Sequence, residues 1–119
     1  MKLKFREIQS DDLISANTHI NGNYNLKMDY TLEDLDPTEL LSSMGLTMKK
    51  APLKKLKSTE DLILFIKEST DQKDYDWAGL MNANIPPVVV INRGLADGIH
   101  RCILAVALGY SVSAIVFKK

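Results

Sequence analysis

At 119 residues the chain is long enough for one domain with a hydrophobic core and too short for two. Hydrophobic residues make up 45% and charged residues 25%, the mix of a globular protein and not of a wholly disordered one; 15 basic residues balance 15 acidic ones, so no global field holds the chain on nucleic acid or an anionic membrane. Cys102 is the only cysteine, which excludes an internal disulfide and a multi-cysteine zinc site, and fits the reducing cytoplasm.

In chain order, Leu3 to Ile8 alternate apolar and charged residues and predict an opening strand, with Lys4 and Arg6 facing solvent. The same stretch lacks the apolar core of an export signal. Asn17 to Asn25, with four asparagines and His19, has turn composition and leads toward a short strand near residues 24 to 30. His19 has no partner at ligand spacing, and no metal site is expected. Thr31-Leu32-Glu33-Asp34 has the spacing of a capping box, and Pro37 suits a first helical turn, so a helix is expected over 37 to 44, stopped by Gly45.

Lys49, Lys50, Lys54, Lys55 and Lys57 follow, interleaved with Leu53 and Leu56. This is the strongest local positive charge and a candidate nucleic-acid or partner patch, although it has no aromatic residue on which a base could stack, and such runs are commonly solvated faces. Ser58 and Asp61 form a second capping box ahead of a helix over 59 to 68 that buries Leu62, Ile63, Phe65 and Ile66. Trp77 to Leu80 can add a helical turn. Val88-Val89-Val90-Ile91 is a β-branched run of the kind buried on both sheet faces and predicts a central strand. Asn92-Arg93-Gly94 turns the chain, a helix runs over 98 to 108 and stops at Gly109, and a last strand covers 114 to 117. The most apolar stretch, 99 to 116, is interrupted by Arg101 and Gly109, so no membrane span is expected. The fold class read from these elements is α/β or α+β: one domain over 1 to 119, with a mixed sheet flanked by helices.

The residues best suited to chemistry are Asp97-Gly98-Ile99-His100-Arg101, at the entrance to an apolar helix. Free N–H groups and the positive end of the dipole make a helix start an anion site, and glycine lets a ligand approach the backbone. Arg101 adds a planar fork that matches phosphate oxygens, and His100 can donate a hydrogen bond or move a proton near neutral pH. The same five residues also read as scaffold: Asp97 as the N-cap, Gly98 as relief for a turn, Arg101 as a structural ion pair.

Pro86-Pro87-Val88-Val89-Val90-Ile91, Leu95 to Arg101, and Ala105-Val106-Ala107-Leu108-Gly109-Tyr110 together resemble the ParB/sulfiredoxin superfamily, in which a proline-led strand precedes an Asp-Gly-x-His-Arg loop and a helix ending in Leu-Gly. The resemblance covers residues 85 to 119 and extends upstream through Asp36-Pro37-Thr38-Glu39. It implies a nucleotide, ATP or CTP with magnesium, with Gly98, His100, Arg101 and Thr38 on phosphate, and Asp97 orienting the loop or lying near the metal, as Asp36 could. It further implies a possible ATP-dependent phosphotransferase like the free serine kinase branch, acting on a small hydroxyl substrate with Glu39 as base and His100 and Asp97 in catalytic roles. Ile99 stands where sulfiredoxins need their cysteine, which argues against that activity. The arginine-rich box and helix-turn-helix of partitioning ParB proteins are not in the sequence. The alternative is a non-catalytic DNA- or protein-binding regulatory module of phage or mobile-element type. A ParB-like nuclease is a further alternative, although no cluster of carboxylates demands it.

Overall fold

The computed structural model describes residues 30–82 and 87–117. The strand expected over 3 to 8 and the asparagine-rich turn lie outside the described residues. The elements are β1 (Tyr30–Leu35), α1 (Pro37–Ser42), a 3₁₀ turn at Leu53–Lys55, α2 (Thr59–Ser69), α3 (Trp77–Asn82), β2 (Val88–Ile91), β3 (Gly94–Asp97), α4 (Ile99–Leu108) and β4 (Val112–Phe117). The strands form one sheet in the order β1-β4-β2-β3, with β2 parallel to β4 and the other two pairs antiparallel. This is an α+β fold with a mixed sheet. No helix among the described residues is long and apolar enough to cross a membrane.

β2 is central, as its β-branched run predicts: Val88 and Val90 face the helices, whereas Val89 packs with Ile115 and Phe117 on the other face. β2 and β3 form a hairpin in which Asn92 (φ 48°) and Arg93 (φ 71°) take the left-handed conformations. Gly94 opens β3 instead of relieving the turn. With positive φ at both central residues this two-residue connection has the twist of a type I′ turn, which matches the strands, so the hairpin geometry overrides the preference of arginine. The backbone N–H of Asn92 donates to the Phe117 carbonyl (3.1 Å), tying the turn to the end of β4.

Helix starts follow their capping residues. Asp36 accepts from the Thr38 N–H (2.9 Å) with Pro37 in the first turn of α1. Ser58 accepts from the Asp61 N–H (3.2 Å), while the Asp61 carboxylate accepts from the Lys57 N–H (2.9 Å). Each such cap is worth ~1 kcal/mol. Gly45 (φ 74°) ends the turn after α1.

Two expectations are corrected. Thr31 to Asp34 is not a helix cap but the middle of β1, because pairing with β4 from Tyr30↔Phe117 to Leu35↔Val112 satisfies its backbone better than an isolated turn would. Asp97 does not cap α4; it ends β3, and Gly98 occupies the cap position.

The core lies between the sheet and the helices. Every residue of α4 from Cys102 to Leu108 is buried, and Leu41, Leu62, Ile66 and Trp77 close over it. Burying side chains of this size stabilises by ~1.5–3 kcal/mol each, so α4 is the element around which the helical layer is built.

Candidate functional site

The corner Asp97–Arg101 sits where β3 passes into α4. Gly98 has φ 111° and is pressed against β2: a Cβ here would stand 2.6 Å from Cγ1 of Val88. Only glycine fits this combination of positive φ and close approach. With no side chain at its cap, α4 begins without a side-chain hydrogen bond to its first turn. The first-turn backbone N–H groups and the dipole end are therefore presented without a capping side chain.

Arg101, one turn into α4, has little exposed side chain. Its Nη1 donates to the carbonyl of Pro87, just ahead of β2, and its Nη2 donates to Oδ2 of Asp97 at 3.1 Å. The guanidinium thus clamps the start of β2 to the end of β3. The Asp97 carboxylate is half exposed and occupies part of the fork that a phosphate would use.

His100 points to a different neighbourhood. Its ring stacks on Tyr75 with centroids 3.7 Å apart and planes 5° from parallel, and meets the edge of Trp77 at 5.6 Å. Nε2 donates to Oε1 of Gln72 (2.9 Å), and the Trp77 indole N–H donates to the Gln72 carbonyl (2.9 Å). Burial, then the neighbouring Arg101 charge, lowers the pKa of His100 below its ordinary value, which favours the neutral imidazole. Gln72, Tyr75 and Trp77 are thus part of the His100 environment. The sequence signal for this was only the proximity of two aromatics to the loop; Gln72 gave none.

Cys102 is wholly buried, and desolvation outweighs the nearby Arg101 charge to push its thiol up to about 12. It is a core residue and not a nucleophile at neutral pH.

Thr38 and Glu39 lie elsewhere. Thr38 lines a cleft with Val106, Gly109 and Tyr110, at the C-terminal end of α4, whereas Asp97 to Arg101 stand at its N-terminal end, ~15 Å away for a ten-residue helix. Glu39 lines another cleft with Glu33, Asp36 and Arg93. Neither is brought to the corner by any described contact. Asp97 is committed to Arg101, and among the described residues no three His, Cys, Asp or Glu side chains are grouped to hold a metal. The corner therefore does not fit a protein-held magnesium.

The lysines divide. The stem of Lys50 lies over Gly109, so its ammonium sits at the negative end of α4 and complements the dipole. Lys49, Lys54, Lys55 and Lys57 are exposed with no carboxylate partner among the described residues.

Compared with known proteins, the chain matches no family model, no curated protein and no solved structure.

Proposed function

We propose that the chain binds the phosphate of a nucleotide at the Asp97–Arg101 corner, in the manner that its resemblance to ParB-like domains implies. The observation that carries this is the start of α4: a left-handed glycine without a capping side chain, beside a guanidinium held at the same end. An anion arriving there takes the first-turn N–H groups and competes with Asp97 for Nη2 of Arg101. Gly98 allows the approach, Arg101 supplies the charge, and neutral His100 serves as a hydrogen-bonding and stacking group beside Tyr75 and Trp77, where a base can lie. With Glu39 and Thr38 grouped elsewhere, the support reaches phosphate binding and stops short of phosphoryl transfer.

The test is calorimetric titration with ATP, CTP and GTP in magnesium-containing buffer, for the wild type, Arg101→Gln and Asp97→Asn. Arg101→Gln removes the charge, and thermal unfolding of each variant checks that the fold is kept. Wild-type binding that Arg101→Gln weakens and Asp97→Asn strengthens supports phosphate at this corner. If the wild type binds no nucleotide, the corner is scaffold.

A second reading rests on the four outward-facing lysines. A nucleic acid neutralised by Lys49, Lys54, Lys55 and Lys57 would bind with a steep dependence on salt between about 50 and 200 mM. Fluorescence anisotropy with a short duplex, repeated for a variant carrying glutamate at Lys54, Lys55 and Lys57, separates the two readings, because nucleotide binding at the corner is indifferent to those lysines.

A further inference from the structure

Among the described residues β1 is an edge strand whose outer side is unpaired. It pairs with β4 on one side, and no other described strand pairs with it. Among the described residues none of Tyr30 to Leu35 has a further backbone hydrogen bond, and every residue from Tyr30 to Asp34 is exposed. Such an edge presents a row of unpaired N–H and C=O groups to any extended chain.

Its side chains differ between the two faces. Register with β4 places Thr31, Glu33 and Leu35 on the face packed by the helices, and Tyr30, Leu32 and Asp34 on the opposite face. On the first face Glu33 joins Asp36, Glu39 and Arg93 around a cleft of about 290 Å³ floored by Leu40 and Val116. Three carboxylates outnumber one guanidinium there. On the opposite face Tyr30 is 47% and Leu32 57% exposed, a large apolar surface for an edge strand.

A second copy is a poor occupant. Antiparallel pairing of β1 with itself about its centre sets Glu33 diagonally across from Asp34 of the other copy, twice over, and like charges at that spacing repel. We propose instead that the outer edge of β1 docks an extended segment of a partner in which basic and apolar residues alternate. Backbone pairing supplies the affinity. The period-two alternation sends its Lys or Arg side chains over Glu33 into the acidic cleft, and its apolar side chains onto Tyr30 and Leu32. The docking is independent of nucleotide binding at the corner.

The experiment titrates the full chain with an acetylated heptapeptide alternating lysine and leucine. Three control peptides accompany it: the same composition in two blocks, a glutamate–leucine counterpart, and the alternating peptide N-methylated on every second residue. Binding is expected for the alternating peptide alone, weakened about tenfold by Glu33→Lys, a cost of ~1.4 kcal/mol. Circular dichroism checks that this exposed substitution leaves the fold intact. Equal binding of the block peptide reduces the effect to unspecific charge and overturns the proposal. So do equal binding of the N-methylated peptide, an affinity indifferent to Glu33→Lys, absence of binding, or a dimer that the peptide does not displace.

Discussion

The imidazole of His100 lies flat on the phenol ring of Tyr75, with 3.7 Å between centroids and 5° between planes, and donates to Gln72 from Nε2. A loop residue and a helix residue are thereby locked together, and the ring is held in its neutral form by burial and by Arg101. Because the folded pKa lies below the ordinary value of about 6.5, the unfolded chain binds the proton more readily. The stability contributed by neutral His100 is thus present above that value and lost as pH falls below it toward the folded value. Thermal unfolding followed between neutral and mildly acid pH is expected to show this loss, and His100→Gln to flatten the slope. An unchanged slope in the variant would place the acid sensitivity elsewhere.

Arg101 is expected to matter to stability before it matters to any ligand. Its bonds to the Pro87 carbonyl and to Asp97 join β2, β3 and α4. Arg101→Ala leaves a carbonyl and a carboxylate without their donor and costs ~1–3 kcal/mol by chemical denaturation. Arg101→Lys recovers part of this, since an ammonium cannot span both partners as the fork does.

Gly98→Ala combines an unfavourable φ with a collision against Val88. A loss of more than ~1–2 kcal/mol is expected. A double-mutant cycle separates part of the two causes: a Val88→Ala background removes the 2.6 Å approach to Cγ1, leaving the backbone cost and the 2.9 Å approach to the Cβ that alanine keeps. Full additivity of the two substitutions would show that the contact with Val88 contributes nothing.

Arg93 holds a left-handed conformation that a glycine adopts freely. Arg93→Gly is therefore expected to be neutral or to stabilise by up to ~1 kcal/mol, an unusual outcome for losing a charged side chain. Equilibrium denaturation decides it; a clear loss would mean that the guanidinium among Glu33, Asp36 and Glu39 contributes more than the turn costs.

Cys102 is expected to resist alkylation in the folded protein at neutral pH and to react only as the chain opens, because it is buried and its thiol is pushed up to about 12. Modification as fast as that of a free thiol, measured by mass spectrometry, would show that α4 opens locally.

Much of this architecture can be read in advance from residue types. The valine run of β2, the serine cap of α2 and the paired glycines around α4 are local signals with local causes, and the elements appear where those signals lie. What escapes is decided by distant partners. Thr31 to Asp34 has the spacing of a cap and becomes a strand because β4 is there to pair with it. Asp97 looks like a cap but is drawn to Arg101, and the glycine after it takes the position. The same limit applies to the site. Gly98, His100 and Arg101 are contiguous and were visible as a group, whereas Gln72 and Tyr75 reach His100 across a loop whose composition carries no periodicity. Thr38 and Glu39, adjacent in the same upstream motif, are placed by α1 in two different clefts, neither at the corner.

The ladder between β1 and β4 also orders events in time. Its partners, Tyr30 with Phe117 and Leu35 with Val112, are nearly the whole described length apart. Closing so long a loop is entropically costly and slow relative to forming α4 or the β2–β3 hairpin. On a ribosome β1 emerges well before β4, and among the described strands it has no partner until β4 is synthesised. Among the described strands, the one with an unpaired outer edge is thus also the one left longest without a partner while the fold is made.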